Sequence, residues 1–120
     1  MLFGDTKLEL LNSVLDAAAL RHKVIAQNIA NVNTPGYRRL EVQFQDELRS
    51  ALRGGHSRVL AVRPKVVASS AASTRLDGNN VDLEREYAAL SRNAALFNTV
   101  AQIVTTRLAA YREAINGGEK

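Results

Sequence analysis

The stretch Asn28-Ile29-Ala30-Asn31-Val32-Asn33-Thr34-Pro35-Gly36-Tyr37 marks the point at which a long helical pattern ends and an extended pattern begins. Pro35 supplies no backbone N–H and disfavours the α region for Thr34, so a helix does not continue through it. Gly36 accepts a positive φ, and the pair Pro35-Gly36 therefore suits the central positions of a type II turn. The stretch predicts a chain reversal, after which the ring of Tyr37 can hold the exit strand against the helix.

Residues 6–31, upstream of the turn, predict one helix. Their apolar side chains recur at the a and d positions of a heptad. Asn31 or Asn33 can end the helix, because asparagine either adopts the left-handed region or hydrogen-bonds back to the backbone. The a and d template takes Leu8, Leu11, Leu15, Ala18, His22, Ile25 and Ile29, all of them apolar except His22. Further apolar positions on one flank widen this face, which suits packing against more than one helix.

Residues 81–116 predict a second long helix, which Asn80 or Asp82 can cap and which Gly117-Gly118 ends. Every a and d position of its heptad template is apolar or aromatic. That template takes Tyr87, Leu90, Ala94, Phe97, Ala101, Val104, Leu108, Tyr111 and Ile115. Two long helices, one near each terminus, predict a mainly α fold in which the helices pair as an antiparallel α-hairpin or coiled coil.

The segment that follows the turn combines two short patterns. Leu40, Val42 and Phe44 alternate with polar neighbours, and this period of two residues predicts a short extended segment. Residues 46–53 then predict a short helix, which Gly54-Gly55 stops.

Residues 54–80 lack a helical period. The runs 58–62 and 65–68 are β-prone and are compatible with a hairpin, while residues 69–74 predict a mobile, exposed loop with little hydrophobic anchoring. The chain therefore divides into residues 1–53, the irregular or β-like middle 54–80, and residues 81–120, with the terminal helices forming one domain.

Composition restricts the class of protein. The chain has 120 residues, enough for one small domain, and although 46% are apolar only 5% are aromatic, which favours helices packed side by side. Without cysteine, the chain forms neither disulfides nor thiolate metal sites. No apolar run reaches the length of a transmembrane helix, so we expect no direct membrane insertion. Residues 1–7 do not fit a cleavable Sec signal.

The net charge of +4 is concentrated in the middle of the chain, where residues 54–80 carry four basic side chains and one acidic one. A nucleic-acid binder more often carries a basic stripe along one helix face, interleaved with aromatic residues. Binding to a membrane surface needs a helix with a basic polar face, whereas both long helices are charge-balanced. The charge pattern therefore predicts neither nucleic acid nor membrane as the principal partner.

The residue pattern offers no constellation for catalysis. His22 and His56 are the only histidines, and no group of His, Asp or Glu has the spacing of a metal site. Asp46-Glu47 and the pair Glu84 and Glu86 do not place both carboxylates on one helix face, so they do not suit acid–base catalysis. The sequence predicts no enzyme, no catalytic or metal-binding residue and no cofactor.

The stretch 28–37 resembles the N-terminal signature of the bacterial flagellar axial proteins, the family of rod, hook and hook-associated subunits. That signature reads roughly as an apolar helix followed by NIAN-x-x-T-x-GY, and the Pro before the Gly is similar to the rod-protein version. The block 78–86 resembles the C-terminal rod-protein pattern GN-x-VDLE-x-E. Leu90, Asn93 and the closing residues Leu108 and 112–115 resemble the proximal-rod members in particular.

The resemblance implies a structural subunit of the basal-body rod, which polymerises through its terminal helices into the shaft that carries motor torque across the periplasm. It also implies partners, namely further copies, other rod proteins, the adaptor at the motor membrane ring and the flagellar export apparatus. Export would then need no cleavable signal peptide. The predicted assembly residues are Leu8, Leu11, Leu15, Ile25, Ile29, Leu90, Phe97, Val104, Leu108 and Ile115. The residues predicted to set the turn are Asn28, Asn31, Thr34, Pro35, Gly36 and Tyr37.

Three alternatives remain open from the sequence. The chain could be another rod subunit of the same family, which would be distinguished only by the neighbouring subunits that it contacts. A small nucleic-acid-associated helical protein would depend on Arg38-Arg39 and on the basic residues of 54–80, and its binding would weaken steeply with salt. A regulatory or chaperone-like helical hairpin would be a compact monomer by itself.

Overall fold

The computed structural model describes residues 6–118, without the side chains of His56, Ser57 and Gly118. Its elements are α1 (Thr6–Ala30), β1 (Leu40–Gln43), α2 (Gln45–Leu52), α3 (His56–Ala61), β2 (Lys65–Ala68) and α4 (Leu83–Gly118). The chain is elongated, with principal extents of 70 × 28 × 15 Å. The mainly α fold predicted from the sequence is confirmed, with a short β-hairpin in the middle.

The long helices α1 and α4 pack against each other in antiparallel directions. Near one end of the pair the Asn28 amide donates to Glu86, and further along the Asn93 amide donates to the backbone carbonyl of Ala18. Small side chains bring the helices close, because Ala17 and Ala18 are each 1% exposed. The most buried larger apolar side chains of α1 in this core are Leu8, Val24 and Ile25.

The helix α4 outreaches α1 at one end only. It has 36 residues against 25, a difference of about 16 Å at a rise of about 1.5 Å per residue. Because Glu86 lies near the start of α4 and pairs with Asn28 near the end of α1, the excess length lies at the C-terminal end of α4.

The strands β1 and β2 form an antiparallel hairpin in which Leu40 pairs with Ala68 and Gln43 with Lys65. β1 packs against α1, and Phe44, which follows it, is buried at 2% exposure. The β-prone run 65–68 is therefore a strand, and the alternation that starts at Leu40 does mark an extended segment.

The β-prone run 58–62 is helical instead, because α3 spans His56–Ala61, and the expectation of an extended run there is wrong. Within the helical turn the backbone groups of this run pair with each other and need no neighbouring strand. The helical turn also buries Val59 at 6% exposure. Gly55, with a φ of 95°, turns the chain into this helix.

The predicted turn at Pro35-Gly36 is present. The Tyr37 N–H donates to the Thr34 carbonyl at 3.2 Å and Gly36 has a φ of 74°, as a type II turn requires. The Gly36 N–H donates to the carbonyl of Asp77 at 2.8 Å, so this turn contacts the turn that precedes α4. The exposed loop between β2 and that turn is anchored by hydrogen bonds, since Ala71 accepts from the Arg38 guanidinium at 2.6 Å.

Candidate assembly surface

A buried polar cluster joins the end of α1 to the start of α4. We name it the signature clasp, and it consists of Asn28, Tyr37, Arg39, Asn79 and Glu86. Asn28, Asn79 and Glu86 are each at most 1% exposed. Polar groups this deeply buried are costly unless hydrogen-bonded, so their partners determine whether the cluster is stable.

Asn28 is the centre of the clasp and uses both faces of its amide. Its Nδ2 donates to the Leu40 carbonyl at 2.8 Å and to Glu86 Oε2 at 3.3 Å. Its Oδ1 accepts from the Leu40 N–H at 2.8 Å and from the Tyr37 hydroxyl at 3.0 Å. The bonding capacity of the side chain is therefore filled, and α1, β1 and α4 meet at one residue.

Glu86 is a buried carboxylate whose charge is matched by Arg39. The Arg39 Nε donates to Glu86 Oε1 at 2.8 Å, and its Nη1 donates to Glu41 Oε2 at 3.1 Å. Burial by itself lowers the pKa of Arg39, but the hydrogen bonds and negative charges of Glu86 and Glu41 outweigh it, so the pKa is raised and the guanidinium stays charged. Burial also raises the pKa of Tyr37, and the negative charge of Glu86 raises it further.

Asn79 ties the turn before α4 to the turn that follows α1. Its Nδ2 donates to the carbonyl oxygens of Asn31 at 2.9 Å, Val32 at 3.2 Å and Thr34 at 2.8 Å. Its Oδ1 accepts from the Val81 N–H at 2.8 Å. Backbone carbonyls of a turn lack the regular partners of a helix or sheet, and here one side chain from the other motif donates to three of them.

The residues predicted to set the turn divide between the clasp and the surface. Asn28 is buried, Asn31 and Tyr37 are half-buried, and the remaining members are exposed, namely Thr34, Pro35 and Gly36. Asn31 donates through Nδ2 to the Gln27 carbonyl at 2.8 Å and accepts from the Thr34 hydroxyl at 3.1 Å.

Arg39, Asn79 and Glu86 were absent from the site residues predicted from the sequence. Asn79 and Glu86 lie within the block 78–86, so their motif was visible although its contact with the first motif was not. The sequence carried one signal for the position of Glu86, namely a heptad spacing along α4. Glu86 stands seven residues before Asn93 and fourteen before Val100, and all three face α1.

The face of α4 that packs on α1 differs from the heptad template of the sequence. Its most buried members are Glu86, Asn93 and Val100, at 1%, 5% and 7% exposure. The fully apolar template lies on the flank beside them and leaves large side chains in solvent. We name the following set the outer stripe: Leu83 at 37% exposure, Tyr87 at 52%, Phe97 at 38%, Leu108 at 38% and Ile115 at 66%.

The predicted assembly residues fall into three groups. Leu8 and Ile25 are buried in the contact between α1 and α4. A second group is half-buried, namely Leu11, Leu15, Ile29, Leu90 and Val104. Phe97, Leu108 and Ile115 are exposed and belong to the outer stripe. The structure therefore brings the last three together on a free helix face and places the first two inside the subunit.

A groove of about 370 Å³ runs between α1 and α4 next to the outer stripe. Alanines at positions 18, 19 and 94 line it, together with Phe97 of the outer stripe. Asn93 lines it as well, with Oδ1 buried and without a hydrogen-bond partner in the described part of the chain. The groove is a recess into which a side chain of a neighbouring helix can fit.

Several basic side chains of the middle segment are committed to the fold. Arg38 donates to the carbonyls of Gly78 at 3.2 Å and Ala71 at 2.6 Å. Arg75 donates to the carbonyl of Val32 and forms an ion pair with Asp77 at 3.0 Å. These guanidinium groups hold loops in place, which argues against a basic surface arranged for nucleic acid.

Among the helices of residues 6–118, none is both long enough and apolar enough to cross a membrane. Within the same described residues, His, Asp and Glu side chains form no group of three or more that could hold a metal ion.

The chain is similar to known rod proteins along most of its length. A family model described as "Flagella basal body rod protein" matches residues 9–38. FlgB of Borrelia hermsii is 30% identical, over 82% of this chain and 87% of that protein. FlgB of Bacillus subtilis is 28% identical over 98% of each chain, and FlgB of Salmonella typhimurium is 26% identical over 95% and 96%. The chain therefore belongs to the FlgB family of flagellar basal body rod proteins, a family of structural subunits and not of enzymes.

Proposed function

We propose that this chain is a subunit of the proximal rod, and that it polymerises with neighbouring rod subunits through the outer stripe of α4. The observation that carries the proposal is the apolar character of this stripe, which remains exposed although the other face of α4 already packs on α1. Exposed apolar patches of this kind commonly mark interaction sites.

The form of the outer stripe indicates the kind of surface that covers it. From Leu83 to Ile115 the stripe extends for about 48 Å at a rise of about 1.5 Å per residue. Its heptad spacing suits side-by-side contact with another long helix. The neighbouring subunit supplies such a helix, because every member of the array carries α1 and α4.

The proposed contact is heterologous, because it joins two different surfaces. The outer stripe lies on one flank of a subunit, and the surface that covers it lies elsewhere on the neighbouring subunit. Heterologous contacts that do not close into a ring generate an open helical array. An array held by many long helix–helix contacts resists twisting, and torque transmission along the rod follows from that stiffness.

The location and the remaining partners follow from the family. The rod crosses the periplasm, so the subunit is exported. The resemblance points to export through the flagellar export apparatus, without a cleavable signal peptide. The adaptor at the membrane ring and the other rod proteins are its proposed neighbours.

The proposal is tested by Phe97→Asp, which places a carboxylate in the outer stripe. We expect normal export and helix content, but loss of incorporation into basal bodies and loss of swimming. Thr99→Asp is the matched control, because Thr99 is exposed on the same helix but lies outside the stripe. Normal swimming of the Phe97 variant would count heavily against the assembly role, as would equal loss of swimming in both variants.

A further inference from the structure

We name the face of α4 that packs on α1 the inner face. Its positions recur at a nearly constant spacing along the helix. Positions 86, 93, 100 and 107 follow one another at intervals of seven residues along the side that faces α1. A slide of α4 by one heptad keeps the same face toward α1 but changes which side chain stands at each place. We propose that the signature clasp is a register lock, whose residues Asn79 and Glu86 restrict α1 and α4 to one alignment.

The lock works because Arg39 cannot follow a sliding helix. Its carbonyl accepts from the Ser69 N–H at 2.8 Å, beside the pairing of β1 with β2. The next residue, Leu40, exchanges two hydrogen bonds with the Asn28 amide, so the strand is fixed to α1. The Arg39 guanidinium is therefore a fixed point against which the position of α4 is set.

A slide of one heptad displaces α4 by about 10 Å along α1. This distance separates Glu86 from Arg39 and removes the Asn79 amide from the carbonyls of the turn that follows α1. In one direction the slide places Asn93 opposite Asn28 and leaves Arg39 without Glu86. In the other direction it moves the Glu86 carboxylate between the helices without its cation, which is strongly unfavourable for a buried charge.

The inference goes beyond the proposed assembly role, because it concerns alignment within one subunit. It gives the buried polar residues a specific purpose, since apolar replacements would pack equally well but would not distinguish one heptad from the next. A single buried polar group that fixes the register of a helix pair has this effect in coiled coils. The lock also fixes the position of the outer stripe relative to the β-hairpin.

The test uses the absence of cysteine from the chain, so that engineered pairs are the only thiols. Ala19→Cys with Ala94→Cys reports the native register, because both alanines line the same groove. Ala19→Cys with Ala101→Cys reports a slide of one heptad, since Ala101 stands seven residues after Ala94. Each pair is treated with a short bis-maleimide in the purified full-length protein, and the cross-linked fraction is measured by mass spectrometry.

The lock is broken by Asn79→Ala together with Glu86→Gln, and more mildly by Glu86→Gln alone. The matched control is Asn116→Ala with Glu84→Gln, which makes the same chemical changes at exposed positions of α4. We expect the ratio of slid to native cross-link to rise about tenfold or more in the double variant, as the loss of charge-assisted hydrogen bonds implies. The single variant is expected to lie between the control and the double variant.

A purely structural role gives a different result. If the clasp only contributes stability, both cross-links fall together, with a matching loss of helix content by circular dichroism, and the register lock is wrong. Unchanged ratios in both variants overturn it as well. Neither result depends on rod assembly, so failure of the lock and failure of the assembly proposal are distinguished.

Discussion

The two ends of the helix pair are built on opposite principles. At the end where α1 finishes and α4 begins, Asn28, Asn79 and Glu86 are at most 1% exposed and are held by directional bonds. Towards the other end, α4 extends beyond α1 and leaves Leu108 at 38% and Ile115 at 66% exposure. Polar contacts with fixed partners specify a structure, whereas exposed apolar side chains gain stability only when something covers them. The comparison indicates that buried polar contacts at one end fix the subunit, whereas the outer stripe, which extends beyond α1 at the other end, is available to the assembly.

The largest effect on stability is expected from breaking the clasp end. Arg39→Ala leaves the Glu86 carboxylate buried without its cation, and the loss of one partner of a buried pair costs about 3–5 kcal/mol of unfolding free energy. Urea unfolding followed by circular dichroism measures the loss. Arg92→Ala is the control, because Arg92 is exposed on α4, and its effect is expected within about 0.5 kcal/mol. Equal losses of unfolding free energy in the two variants would mean that the buried pair contributes no more to stability than an exposed arginine.

A smaller effect at the same end depends on pH. The Tyr37 hydroxyl donates to Asn28, and Tyr37→Phe removes this bond at a cost of about 1 kcal/mol near neutral pH. Burial and the Glu86 charge raise the pKa of Tyr37 above its ordinary value of 10.0, so the folded state favours the neutral phenol. This stabilisation is fully present below pH 10.0 and is lost as the pH rises through the higher pKa of the folded state.

The gap in stability between the parent protein and Tyr37→Phe is therefore expected to narrow as the pH increases beyond 10.0. Urea unfolding at a series of alkaline pH values measures it. Tyr87→Phe is the control, since Tyr87 is 52% exposed on the outer stripe and lies outside the clasp. A gap that stays constant across the alkaline range would show that Tyr37 ionises equally in the folded and unfolded chain.

The elements of the fold were predictable from local sequence to different degrees. Both long helices follow from apolar periodicity and from the turn chemistry of Pro35-Gly36, which are properties of neighbouring residues. The run 58–62 was misread because its β-branched side chains suit a strand, while the pairing of β2 with β1 is a property of the whole hairpin. Strand propensity depends on context, and here the helical turn buries Val59 against the rest of the fold.

The clasp was less accessible to sequence reasoning, for two physical reasons. Asn28 and Glu86 are separated by 58 residues, and their contact depends on the alignment of α1 with α4. A heptad template also selects the most apolar stripe, and on α4 that stripe is the outer one. The inner face includes Glu86 and Asn93, which read as surface residues until their partners are known. The template therefore identified the face available for assembly more closely than the face that packs inside the subunit.

The smallest effect on subunit stability is expected at the other end of the pair. Ile115 is 66% exposed, so Ile115→Ser removes little packing and is expected to change the unfolding free energy by less than about 0.5 kcal/mol. A larger effect is expected on assembly, because a neighbouring subunit would cover the same side chain. We expect fewer basal bodies to contain the variant. Quantitative immunoblotting of purified basal bodies, against the level of exported protein, measures this. Glu113→Ser, at an exposed position on the same turn, is the control. A variant that unfolds easily, or one that enters the rod as well as the control, would contradict the contrast between a fixed end and an assembly end. A variant that is stable but excluded would show that stability and assembly are carried by different parts of α4.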